Sequence, residues 1–204
     1  MAESVAGIIL AAGASQRIGR AKPLLLWRGK PFIYQVAHTA LEAGLSPVVA
    51  VTGAQADEVR AALAGMPVES VHNSHWAEGQ STSVQAGLQA VPAETTAVIF
   101  LLADQPHIPA ALVRALIEQH AQTRSPIVAP MIEGKRGNPV LFDHAVFPDL
   151  MSLDGDAGGR LVFSRYPITY VPWNDPNLLL DVDTLEDYER LLNSEPFRSG
   201  TASL

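Results

Sequence analysis

The seven residues Ala97–Ala103, AVIFLLA, are apolar without interruption. A strand with one solvated face alternates apolar and polar positions. A strand with no alternation is covered on both faces, as in the centre of a mostly parallel sheet flanked by helices. The surrounding sequence supplies the neighbours such a strand needs. Val5–Ala11 is a β-branched run that ends in a loop rich in Gly and Ser, and Pro47 introduces a second buried run, VVAVTG. Between them Ile33, Val36, Ala37, Ala40 and Leu41 recur at helical spacing, predicting a helix over Phe32–Glu42 that Gly44 ends. Further on, the pattern predicts a helix over 54–63, a strand over 68–71, and a helix capped by Ser81 that carries Val84, Leu88 and Val91. Then follow a helix from Pro109 to about His120 and a strand over 127–130. Strand and helix signals thus alternate four times in about 130 residues, the pattern of βαβ units in a three-layer, Rossmann-like α/β fold with a mostly parallel sheet.

After residue 130 the rhythm changes. Two extended stretches, 139–142 and 168–172, are expected to include an antiparallel part of the sheet and to flank a helix around 158–164. A last helix over 184–192 has Thr184, Glu186 and Asp187 at its N-terminus. No repeat or linker divides the chain. The expectation is one domain over 1–193, followed by a flexible tail over 194–204.

With 48% hydrophobic residues in 204, disorder is excluded and a substantial core is available. The absence of Cys removes disulfides, thiolate catalysis and cysteine metal sites. A net charge of −7 opposes a broad nucleic-acid or anionic-membrane surface, although a local phosphate pocket is allowed. The N-terminus carries Glu3 where a secretory signal would be basic, and no apolar run reaches membrane-spanning length, so the expected compartment is the cytoplasm.

The most informative segment is LAAGASQRIGRAKPLL, Leu10–Leu25. A buried strand delivers the chain to Gly13, Ser15, Arg17 and Gly19, with Lys22 just beyond. Small residues let backbone N–H groups approach a phosphate, and Arg17 with Lys22 can neutralise it. The competing reading is an ordinary β-to-α turn with two solvated cations. The sequence contains no GxGxxG and no Walker A lysine, so two better-known phosphate loops are excluded.

LLADQP, Leu101–Pro106, puts Asp104 at the end of the most apolar strand, where open α/β sheets bind ligands. Mg²⁺ prefers carboxylate and phosphate oxygens, which makes Asp104 a candidate ligand; a turn or helix cap is the alternative. In LLLDVDTLED, Asp181 and Asp183 face the same way, with Val182 opposite; one could complete the cation site. In NSHWAEGQSTSVQAGL, Asn73, Gly79, Gln80, Ser81 and Ser83 could read a base or ribose, while Trp76 is expected to pack. EGKRGNPVLF offers Lys135, Arg136 and Asn138 to an anionic acceptor, although an exposed hairpin would also explain it. Asp156 caps a helix or touches a ligand, and is grouped with Lys135, Arg136 and Asn138 as a candidate acceptor contact. The six histidines show no HExxH spacing, and no GxSxG elbow is present.

Taken in order, these segments resemble the small nucleotidyltransferases that complete the molybdenum cofactor, and within that family the cytidylyltransferases. The resemblance covers almost the whole chain. It implies a nucleotidyltransferase fold, with Gly13, Ser15, Arg17 and Lys22 as the triphosphate signature and Leu10, Ala11 and Ala12 leading into it. By the same resemblance, Asp104 is the principal Mg²⁺ ligand and Asp183 a carboxylate across the nucleotide. Asn73, Gly79 and Ser83 belong to the base- and ribose-contacting segment. The implied reaction joins CMP from CTP to the phosphate of molybdenum-bound molybdopterin and releases pyrophosphate. GTP or a sugar 1-phosphate defines the near alternatives, and a non-catalytic nucleotide-binding regulator is the alternative of a different class. Since molybdopterin is labile, delivery to a molybdoenzyme or its chaperone follows. Ile18 and Asn138 stand where the family commonly has Met and His, and Asn138 cannot acquire a positive charge.

Overall fold

The computed structural model describes residues 4–14 and 21–194, with 157–161 described by backbone alone. Its centre is β1 (Val5–Ala11), with β4 (Val48–Thr52) on one side and β6 (Ala97–Leu102) on the other, both parallel to it. β5 (Glu69–His72) adds to β4 in parallel and forms one edge. Beyond β6, the strand β9 (Val140–Asp143) runs antiparallel between β6 and β7 (Ile127–Ile132), and β10 (Ile168–Pro172) closes the other edge parallel to β7. The antiparallel expectation therefore holds for residues 140–143; the stretch at 168–172 is parallel. A two-residue strand, β8 (Lys135–Arg136), folds back on β7 through a turn in which Glu133 and Gly134 both have positive φ, the backbone of a type I′ hairpin. Another small hairpin pairs β2 (Leu26–Trp27) with β3 (Lys30–Pro31).

The uninterrupted apolar strands are covered on both faces. Ile9, Ile99 and Leu101 pack under α1 (Phe32–Glu42), α2 (Ala56–Ala62) and α4 (Ala110–Thr123). Ile8, Val98 and Phe100 pack under α3 (Gln80–Ala90) and α5 (Phe147–Met151) on the other face. Neighbouring residues of one strand thus feed opposite layers. Each fully buried Ile or Leu contributes on the order of 1.5–3 kcal/mol relative to exposure. The last helix, α6 (Leu185–Asn193), sits on the β2–β3 hairpin through a smaller cluster of Leu25, Trp27, Phe32, Val182 and Leu191. Thr184 caps it with Asp187 in a reciprocal pair of hydrogen bonds, as the sequence pattern predicts.

Several boundaries move. Gly79, not Ser81, occupies the cap position of α3; Ser81 lies inside its first turn, 2% exposed. The helix expected at 54–63 is shorter, α4 continues three residues past His120, and residues 155–164 form 3₁₀ rather than α-helical turns. The expected tail, apart from Ser194, lies outside the described residues. Among the described residues no helix is long and apolar enough to cross a membrane.

Candidate functional site

The carboxyl ends of β1 and β6 lie side by side, with Leu10 in register with Leu102. Leu10 and Ala11 end β1, and Ala12 and Gly13 follow; Ser15 and Arg17 lie outside the described residues. Lys22 returns at the start of a 3₁₀ turn fixed by the buried Pro23. Its Nζ lies 2.5 Å from Asp183 Oδ1 and 3.4 Å from Asp104 Oδ2, so three residues that the sequence separates by up to 161 positions meet at one charged atom.

The electrostatics follow from partial burial. Burial favours a neutral Lys22, but the hydrogen bond with Asp183 and the charges of Asp104 and Asp183 outweigh it and hold its pKa above the ordinary value. For Asp104 the opposite force wins. Burial pushes the carboxyl pKa up, Lys22 only partly restores it, and the negative charge of Asp181 adds to the rise.

Two clefts meet at this centre. The first, of about 410 Å³, is lined by Leu10, Ala12, Gly13, Trp76, Gly79, Gln80, Ser83, Leu102, Asp104 and Asp156. Gly79 has φ 124°, and a Cβ there would lie 2.4 Å from the Gly155 carbonyl carbon, so the two backbones touch at the side of the cleft. The N-terminal turn of α3 borders the cleft through Gly79, Gln80 and Ser83. Its first N–H groups lack intrahelical acceptors, which suits an anion. Ala12 is 5% exposed, with its methyl group directed toward Gly53 and Trp76.

The second cleft, of about 520 Å³, shares Leu10, Gln80, Leu102 and Asp104 with the first and adds Arg136, Asn138, Val140, Phe142, Phe163, Asp181 and Asp183. The Arg136 guanidinium lies 3.5 Å above the Phe163 ring, which stacks on Phe142 at 5.9 Å. Val182 turns the other way and is fully buried, so Asp181 and Asp183 both reach the cleft.

Not every candidate residue converges. Asn73 donates from Nδ2 to Thr82 Oγ1 and Ser83 Oγ and accepts from the His75 N–H at Oδ1, tying its own loop together. It borders a separate concavity of about 500 Å³ with His72, His75 and Glu78. Ser81 is buried within α3 and lines neither cleft. Lys135 is exposed on the hairpin, while its neighbour Arg136 lines the second cleft. Asp156, grouped by sequence with the acceptor loop, lines the first cleft instead. Sequence reasoning missed Phe142 and Phe163, whose composition looks like core, and Gln105, whose partner Asp181 is 76 residues away.

Among the described residues no three His, Cys, Asp or Glu side chains form a ready-made metal cage. Two carboxylates do converge on a single cationic atom, Lys22 Nζ. One or two carboxylates plus phosphate oxygens are a usual protein contribution to a Mg²⁺ site, so Asp104 and Asp183 fit such an ion.

Residues 7–169 match the MobA-like NTP transferase domain. The chain is 34% identical to nicotine blue oxidoreductase from Paenarthrobacter nicotinovorans over 198 residues, 92% of this chain and 96% of that protein. It is 26% identical to the protein named probable molybdenum cofactor guanylyltransferase from Bacillus cytotoxicus, over 93% of this chain and 97% of that one. Among solved structures, Rv0371c from Mycobacterium tuberculosis H37Rv superposes with a TM-score of 0.85 at 30% identity, covering 95% of this chain and all of that one. Its complex with manganese superposes with a TM-score of 0.79. The architecture is the α/β, Rossmann-like nucleotidyltransferase fold with a largely parallel sheet.

Proposed function

The chain belongs to the MobA-like NTP transferase domain family and is a nucleotidyltransferase, and we propose that it moves the nucleotidyl group of a triphosphate held in the first cleft onto a phosphate-bearing acceptor held in the second. The observation that carries this reading is the place of Asp104 in the wall common to both clefts, beside Lys22. An acceptor phosphate oxygen attacks the α-phosphorus; the bond from that phosphorus to the α,β-bridging oxygen breaks, and pyrophosphate leaves with the bonding electron pair. An acceptor phosphate is already ionised near neutral pH, so no general base is needed. Lys22, together with Arg17 of the glycine loop, stabilises charge on the departing pyrophosphate. The backbone at Gly13 and the first turn of α3 bind and orient the phosphates. Asp104 and Asp183 hold Mg²⁺, which when bound neutralises charge on phosphate oxygens. The manganese complex of Rv0371c supports a divalent cation in this fold.

The donor is proposed to be CTP and the acceptor molybdenum-bound molybdopterin. Support comes from the LAAG segment with Ala12, which resembles the cytidylyltransferases where the guanylyl relatives typically have LAGG, and from an acceptor cleft that pairs an aromatic floor with Arg136 and Asn138. A second reading, transfer from GTP, is favoured by the near-full-length likeness to the guanylyltransferase relative. The test is pyrophosphate release from CTP and GTP with molybdopterin and with sugar 1-phosphates, beside an assay of nicotine blue conversion. Release with CTP and molybdopterin alone supports the primary reading. Release with GTP selects the second, and turnover on simple sugar phosphates moves the acceptor. Nucleotide binding with no release from any pair makes the chain a regulator, while conversion of nicotine blue without release would align it with the oxidoreductase relative.

A further inference from the structure

We infer that Phe163 is a positioning residue for the acceptor: it sets the plane of the Arg136 guanidinium, so that the forked N–H edge of that group, and not its charge alone, receives the acceptor phosphate. The inference rests on the reading that the second cleft holds the acceptor. Arg136 is an exposed residue on the two-residue strand β8, where it pairs with Met131. The ladder fixes its backbone, but a long side chain leaving so short a strand keeps most of its rotamer freedom unless something orders it. Phe163 meets it from the 3₁₀ segment over 155–164, with the guanidinium carbon 3.5 Å from the ring centre. Both residues line the second cleft.

The ring is itself held. Phe163 is half-buried and stacks on Phe142 at 5.9 Å, with 25° between the planes. Phe142 in turn meets Phe100 edge-on at 5.8 Å and 71°. These two are buried residues of β9 and β6, so the plane of the guanidinium is referred, ring by ring, to the strand that leads to Asp104. Face and edge of a guanidinium do separate work. Stacking uses the flat face and leaves the N–H groups directed outward in the plane. A hydrogen-bonding partner at the edge sets a direction, whereas a ring sets the plane. An oriented fork gives a phosphate two parallel hydrogen bonds, which a lysine would match in charge but not in geometry. Ordering the fork before the acceptor arrives also lessens the side-chain freedom lost on binding.

The test is pyrophosphate release by the full-length protein, with CTP saturating and molybdenum-bound molybdopterin varied, then with the roles exchanged; a thermal melt checks each variant. Phe163→Leu keeps an apolar side chain and removes the ring. It should raise the molybdopterin KM about fivefold and leave the CTP KM in place. Phe163→Tyr, which restores a ring, should return the molybdopterin KM to the wild-type value. Arg136→Lys keeps the charge and loses the fork, and should raise that KM at least as much as Phe163→Leu. Arg136→Ala should raise it about tenfold, and adding Phe163→Leu to that variant should raise it no further. A further rise there would mean that the ring acts on the acceptor or the cleft without the arginine, and overturns the inference. So does a wild-type molybdopterin KM in Phe163→Leu or in Arg136→Lys. A wild-type molybdopterin KM in Arg136→Ala, or no pyrophosphate release by the wild type, instead overturns the acceptor reading and the inference with it. Phe163→Met, also without a ring, takes the place of Phe163→Leu if that variant does not fold.

Discussion

The two clefts that meet at Asp104 are made of different materials. The first is rich in small residues and backbone, with Ala12, Gly13, Gly79 and the opening turn of α3 along it and Trp76 as its one aromatic side chain. The second is bordered by long side chains, with Arg136 stacked on Phe163 and Phe163 on Phe142. Phosphates are common to every nucleoside triphosphate, and uniform backbone N–H groups suffice to hold them. An acceptor has its own shape, and side chains are needed to recognise it. The donor side should therefore respond to backbone and charge, and the acceptor side to individual side chains.

The sharpest way to break this division is at the shared wall. Asp104→Asn should lower kcat/KM for both substrates by at least about a hundredfold while the protein stays folded, since charge stabilisation at the reacting phosphate is lost for either approach. Steady-state kinetics with each substrate varied, beside a melt, would check it; a loss confined to one substrate would place Asp104 in one cleft only. The pH profile offers a second view. Burial raises the Asp104 pKa, so cation binding and activity should fall, as pH is lowered, at a higher pH than an ordinary aspartate would give. The stability sign is opposite: ionised Asp104 burdens the fold at neutral pH, and protonation as pH falls through its folded pKa relieves that burden. An acid limb at or below the ordinary aspartate value of 3.8 would contradict the burial argument.

Lys22→Ala should cost about ten- to a hundredfold in kcat/KM, the size of a lost charged phosphate contact. A folded variant with unchanged kcat/KM would remove Lys22 from the chemistry and leave it as a clamp for Asp104 and Asp183. On the acceptor side, Arg136→Ala should raise the acceptor KM by about tenfold and leave the triphosphate KM unchanged, because the guanidinium lines only the second cleft. Movement of the triphosphate KM would erase the proposed division. The smallest effect is expected at Ala12. Its methyl group packs toward Gly53 and Trp76, so Ala12→Gly should change the CTP-to-GTP ratio of kcat/KM by less than about tenfold, near the lower end of what one methyl group sets. A larger change would show that the methyl group touches the base.

The same contrast decides what could be read from the sequence. Strand β1, strand β6 and helix α1 were legible because their patterns depend only on which faces are buried. Asp104 was legible because its place at the end of a buried strand is a local fact. The Asn73 clasp, the Gln105–Asp181 bond and the Arg136–Phe163 stack were not, because each depends on pairings between distant or differently folded segments. Ser81 misled for a related reason. A serine ahead of an apolar helix looks like a cap, but Gly79, with a positive φ and no room for a Cβ, starts the helix two residues earlier.

The common wall has a consequence for what happens after bond formation. A product that joins the donor's nucleotide to the acceptor is a single molecule with a foothold in each cleft. Loss of one foothold leaves the other, and the freed half stays at high effective concentration beside its own pocket. Such a ligand is held by avidity: it should inhibit at lower concentration than either half and leave in two steps. A recipient able to grip the first half released could take it over before the second half lets go, so that the geometry which brings two substrates together also favours a guarded handover.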